Sequence, residues 1–196
     1  MSVRGADEDQ PERRLLFSAR AIDGGIGVDR AKLRTTLVYR FTPWLQAGLE
    51  YNPLADDLGP LVNLRALEET ETRPALILGT SSDRIGTEEG RAVYATLSKD
   101  LEHWTGLPVA PYAGVSWSTD PLTPSEEWRE IGGLVIRWGA RLTTTSLWDG
   151  VNLHHVLTTP LPDGTSLGLV IAERDDGAHF LGVTFGAGLV APWQED

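Results

Sequence analysis

His154 and His155 form the densest grouping of chemically versatile side chains in the sequence, with Ser146 and Asp149 only a few residues away. A histidine base beside a serine nucleophile, oriented by a carboxylate, is the material of acyl transfer, provided that all three converge. On a β-strand, adjacent residues point to opposite faces, so the two histidines cannot serve one site. His154 shares a face with Asn152, Val156 and Thr158, and His155 lies among Leu153 and Leu157. A His–Ser–Asp set can be composed here on paper, as it can in almost any chain of this size. His103 and His179 lie far from the pair, and no spacing among the four histidines matches a zinc site. Gly24-Gly25-Ile26-Gly27 reads as a hairpin turn rather than a phosphate loop, because the remaining glycine spacing and a following helix are absent. The expectation is a protein that is not an enzyme and uses no metal and no cofactor.

Charge offers more. Fifteen of the seventeen basic residues are arginine, and only Lys32 and Lys99 are lysine. The acids concentrate in the N-terminal stretch and in breaks between apolar runs, among them Asp56 and Asp57, Glu68 and Glu69, and Asp175 and Asp176. The basic residues fall inside the runs, on the side opposite the apolar one: Lys32, Arg34 and Arg40, then Arg65, then Arg129 and Arg137. Glu50 is the clearest acid within a run. A formal net charge of −11 excludes a global nucleic-acid footprint, so no nucleic-acid partner is expected. Loop acids of this kind read as solvating groups rather than as cation sites.

The elements that carry these residues alternate with period two almost throughout. Strands are expected at 14–23, 27–41, 44–52, 61–68, 74–81, 91–100, 108–118, 128–138, 141–148, 151–158, 165–173 and 178–189. Turn signals such as Asp23-Gly24-Gly25, Asn52-Pro53, Asp149-Gly150 and Asp176-Gly177 separate them. The stretch 87–102 has some helical character, but Val93, Ala95 and Leu97 alternate with Tyr94, Thr96 and Ser98, which favours a strand. About twelve strands with short connections make an all-β, antiparallel up-and-down β-barrel. The barrel is expected to form one domain over 14–190, between a flexible acidic tail (1–13) and a C-terminal tail (191–196). The connections 53–60, 82–90 and 119–127 are expected to be long and to share one end, with 82–90 and 119–127 offering a surface for a protein partner.

Neither the 41% apolar content nor the alternation separates a soluble barrel from a membrane-spanning one, but no run approaches the length of a membrane helix. The identity of the non-apolar face does help. That face is glycine, serine, threonine, tyrosine and arginine rather than lysine and glutamate, which suits a crowded barrel interior better than a water-washed exterior. Trp44 and Trp128 open runs, and Trp117, Trp138 and Trp148 close them, as aromatic girdles at two membrane interfaces would.

The phrases YRFTPWLQAGLEYNP (39–53), RPALILGTSSDRIGTEEGRAVYATLSKDL (73–101) and IGGLVIRWGARLTTTSLWDGVNLHHVL (131–157) resemble small bacterial outer-membrane β-barrel proteins. The likeness is one of pattern and spans most of 15–190. It implies a place in a bacterial outer membrane, with lipid bilayer or lipopolysaccharide as surroundings. It also implies a structural role or a narrow passive channel whose lumen is lined by Lys32, Arg34, Arg40, Glu50, Arg65, Arg129, Arg137 and His154. The basic residues would then pair with Glu50 and loop acids as a plug, or line an anion-preferring path. The polar N-terminal stretch does not read as a signal peptide, and AGLVAPWQED lacks the terminal aromatic of that class. The alternative is a soluble lipocalin-like barrel holding a small apolar ligand.

Overall fold

The computed structural model describes residues 14–120 and 127–190. The expected tails, and 121–126 of the expected 119–127 loop, lie outside the described residues. Twelve strands close into an antiparallel barrel: β1 (Leu15–Ile22), β2 (Leu33–Thr42), β3 (Leu45–Asn52), β4 (Asp57–Leu67), β5 (Ala75–Ser82), β6 (Arg91–Ser98), β7 (Val109–Ser118), β8 (Trp128–Arg137), β9 (Thr143–Trp148), β10 (Leu153–Pro160), β11 (Thr165–Glu173) and β12 (His179–Leu189). Each strand pairs with its sequence neighbours, and β1 closes the ring on β12 from Leu15↔Leu189 to Ile22↔Gly182. Closure leaves no unpaired strand edge. The stretch 91–98 is a strand, as its alternation requires.

Three boundaries differ from expectation. The run 27–41 is interrupted: Asp29–Lys32 form a helical turn, α1, preceded by a 3-10 turn over Gly24–Ile26. The apolar residues there, Ile26, Val28 and Ala31, are buried against Ile22, Val170 and Ala172, so tertiary packing overrides the local alternation. β4 starts at Asp57, which shortens the expected 53–60 loop to 53–56. A second helical turn, α2 (Glu102–Thr105), sits in the connection between β6 and β7. The anticipated asymmetry of loops is therefore weak, since the connections 23–32 and 99–108 are both long and lie at opposite ends. We call the end that holds the β1–β2 connection the distal rim. The other, where the described barrel strands begin and end, is the terminal rim.

The interior is mixed. Its fully buried large side chains include Ile26 and Val170 beside His154, Glu50, Asn52, Thr87 and Thr96. The exposed ones include Leu169 (58%) and Leu181 (71%). Register joins the outward residues laterally: Leu157 lies beside Leu169, Leu169 beside Val183 and Val183 beside Ala21. Past β1 the row continues: Phe17 lies beside Leu37, Leu37 beside Leu49, Leu49 beside Pro60 and Ala47 beside Val62. Isolated exposed leucines are ordinary on any protein, but a continuous belt of them is not.

The interior is crowded enough to need residues without side chains. A Cβ on Gly48 would lie 2.0 Å from the Leu37 carbonyl oxygen, and one on Gly114 would lie 2.0 Å from that of Ala95. At these positions neighbouring backbone closes on the lumen face, which lets the sheet curl.

Candidate functional site

Charged and polar side chains fill the distal half of the lumen. Alternation from Asn52 back through Glu50 and Gly48 puts Glu50 inside, where it is fully buried. It forms an ion pair with Arg34 from β2 and accepts a 3.0 Å hydrogen bond from Asn52 Nδ2. Arg91 reaches it from two strands beyond its neighbour β4, with Nη1 3.5 Å from Glu50 Oε1 and Nη2 2.5 Å from Asp57 Oδ1. That reach crosses Gly59, where any Cβ would sit 2.0 Å from the Arg91 guanidinium carbon.

A second knot lies across the barrel. Arg129 forms a buried ion pair with Asp83, which also accepts a 2.6 Å hydrogen bond from Ser118 Oγ. In a third, Asp175 accepts from Arg84 Nη1 (2.5 Å) and Asn152 Nδ2 (2.7 Å). His154, fully buried, accepts from the Glu173 amide at Nδ1 (3.1 Å) and donates from Nε2 to Asp149 (2.8 Å). The amide fixes the neutral tautomer with its proton on Nε2. Above these knots the β1–β2 connection folds inward. Arg30 of α1 donates to the Gly90 carbonyl at 2.7 Å and to Thr87 Oγ1, tying 23–32 to 83–90. These contacts and the Ile22–Ile26–Val28–Ala31 cluster hold the β1–β2 connection inside the distal end of the barrel.

Outside the strands, several pKa values are displaced. Burial pushes Asp149 up, but the hydrogen bonds from His154 and the Asn152 and Val151 amides outweigh it and hold it below the ordinary range. Burial likewise raises Asp175, and the hydrogen bonds from Arg84 and Asn152 together with Arg84's charge more than offset it. Asp176, hydrogen-bonded by Arg174 and the Ala178 amide, falls to about 2.

The terminal half of the lumen differs. It holds a cavity of about 360 Å³ lined by Leu16, Ser18, Thr36, Val38, Gln46 and Ser166 among others, without a charged side chain. At its rim Arg137 pairs with Asp100 (3.0 Å) and Glu102 (2.7 Å), and Arg65 donates to the Pro43 carbonyl.

Of the residues singled out from sequence, Arg34, Glu50, Arg129 and His154 lie in the distal lumen, but only Arg34 and Glu50 touch; Arg129 pairs with Asp83 and His154 with Asp149. Arg40 lies on the lumen side of β2, beside Gln46, and Arg65 and Arg137 lie at the terminal rim. Lys32 is not on a strand at all: it ends α1 and pairs with Asp29. Trp117, Trp128 and Trp148 stand exposed at the distal rim, Trp44 and Trp138 at the terminal rim, where Trp104 joins them. Sequence reasoning missed Arg20 and Arg91, although alternation in 14–23 already sets Arg20 opposite Ala19 and Ala21. It missed Arg30, Arg84 and Asp175 because nothing local to a loop says that it folds inward. The 82–90 loop, taken as a partner surface, has Asp83, Arg84 and Thr87 buried and only Glu88 and Glu89 exposed.

His154 and Ser146, composable on paper, face opposite sides of the wall. Ser146 Oγ instead lies 2.9 Å from His155 Nδ1 on the outer surface. Nothing among the described residues orients the other imidazole nitrogen, so the pair lacks the third group of a hydrolytic site. Two polar groups satisfying each other on an apolar face is what the geometry provides. Among the described residues no cluster of three His, Cys, Asp or Glu is arranged to hold a metal. No protein-family model matches the chain, and no curated protein does.

Proposed function

We propose that this protein is an integral membrane β-barrel of the bacterial outer-membrane type. In this reading it serves as a structural, non-catalytic barrel whose lumen is closed at one mouth by an ion-paired plug. The observation that carries the reading is the sidedness of the wall. An apolar belt faces outward while Glu50, Arg34, Arg129 and His154 face inward. Water would reward the opposite arrangement, whereas hydrocarbon requires this one. Exposed tryptophans at both rims support it. Trp128 and Trp138 stand ten positions apart along one strand. That is ~33 Å of extended chain, or ~25 Å along the axis at a ~40° tilt, the height of an outer-membrane apolar band.

The outer face also carries polar residues. Glu130 sits beside the Trp128 rim and Glu173 beside His179 at the same rim, Thr35 and Thr80 donate to the Tyr51 and Pro60 carbonyls, Thr144 accepts from Trp138, and Ser146 and His155 bond each other. The plug favours a closed barrel over an open channel, because the guanidiniums at the distal mouth are held by carboxylates and by the inserted β1–β2 connection. Partition into detergent together with heat-modifiable gel mobility is the expected result. A monodisperse monomer in detergent-free buffer would refute the membrane reading and favour the lipocalin-like alternative.

A further inference from the structure

Cations crowd one side of the plug. Arg34 and Arg91 pair with Glu50, and Arg91 also with Asp57, while Arg20 and Arg30 lie close enough to feel Glu50, and Arg30 also feels Asp57 and Asp83. Arg34, Arg84, Arg91, Arg129 and Arg137 each reach a carboxylate. Arg20 has no hydrogen bond or ion pair among the described residues; its buried Nε makes no hydrogen bond, a feature it shares with Arg34 Nε. Register sets Arg20 directly opposite Arg34 on the lumen face of β1 and β2. Like charges in that relation repel, and Arg34 is already committed to Glu50. A partly buried guanidinium with no direct ion pair, facing a second arginine, is costly to a fold. A mobile anion relieves that cost.

We propose that the lumen binds a small phosphate-like oxyanion at Arg20, with Arg34 as the second cation. The guanidinium fork matches two oxygens of such a group, which a lysine could not do. The cavity of the terminal half ends next to this pair: Ser18 and Thr36 line it, one lumen-facing position short of Arg20 and Arg34. Their hydroxyls bond each other at 2.6 Å, which leaves one O–H free to donate to an anion beside them. The site goes beyond the membrane reading and does not depend on it, since it needs only the closed barrel.

The test is calorimetric titration of the folded full-length protein with inorganic phosphate, against sodium chloride at matched ionic strength. Folding is verified by gel mobility in detergent, or by circular dichroism if the chain proves soluble. Saturable binding of one phosphate is expected, with affinity weakened at least tenfold in Arg20→Met and unchanged in Arg174→Gln at the distal rim. No saturable binding in the wild type, or equal affinity in Arg20→Met, overturns the site. The phosphate-free stability of Arg20→Met is a second readout. It should unfold at no lower denaturant concentration than the wild type, because the charge removed had no partner. A variant that fails to fold or unfolds earlier overturns the proposal.

Discussion

Leu169 is the residue on which the membrane reading is most exposed to refutation. It is the central residue of β11, points outward, is 58% exposed and has Leu157 and Val183 as lateral neighbours. If the belt lies in hydrocarbon, Leu169→Arg puts a guanidinium near the bilayer midplane, at a cost of about 2–4 kcal/mol. That is a factor of about 30 to 900 in the folding equilibrium. The same substitution at Leu153 or Leu189, at opposite rims, should cost only about 0–1 kcal/mol. If the exterior is instead washed by water, all three changes fall within about 0.5 kcal/mol of the wild type. Reversible guanidinium unfolding in phosphatidylcholine vesicles, followed by tryptophan emission, reads the three midpoints. A flat profile, with Leu169→Arg no costlier than the rim variants, refutes the reasoning. The depth dependence matters more than the absolute value, because only a membrane penalises the middle of a strand above its ends.

Arg129→Met leaves Asp83 buried without its cation and should cost about 3–5 kcal/mol, most of it recovered in Arg129→Met/Asp83→Leu, as denaturant midpoints would report. Gly48→Ala drives a Cβ into the Leu37 carbonyl and should destabilise by about 1–3 kcal/mol or block folding, while Gly24→Ala, with open space around it, should leave the melting temperature nearly unchanged. Asp149, Asp175 and Asp176 all titrate below the unfolded value of about 3.9. Their contribution is complete above that pH and is lost as pH falls through the folded values, about 2 for Asp176. Protection factors over 149–152 and 174–178, which correct for the slowing of intrinsic exchange in acid, should fall on acidification below about pH 4, and Asp175→Asn should remove part of that response.

The order and type of the strands were legible because each strand's two faces differ in composition. The single-residue alternation of Leu45, Ala47, Leu49 and Tyr51 against Gln46, Gly48 and Glu50 admits only one pleat. The same alternation assigned Arg34, Glu50, Arg129 and His154 to one side of the wall. It failed at 27–32, where an alternating run became the helical turn that folds into the distal lumen, and it failed for the same reason at Lys32. Local pattern reports which face a residue shares, but not what that face meets.

Which acid reaches which arginine is a different kind of fact. Asp83 and Arg129 are far apart in the chain, and their pairing follows from strand neighbours β5 to β8 curving around a common axis. Arg91 finds Glu50 only because Gly59 leaves the path clear, and Arg20 is left over only because Arg34 has already taken that carboxylate. The sequence by itself determined a twelve-stranded antiparallel barrel with one greasy and one polar face, since that is a property of neighbours along each strand. The tertiary structure alone decided that the β1–β2 connection folds into the distal lumen, and that Arg20 has no ion pair among the described residues. Those outcomes depend on closure, which brings residues from distant strands to one axis where their charges must cancel.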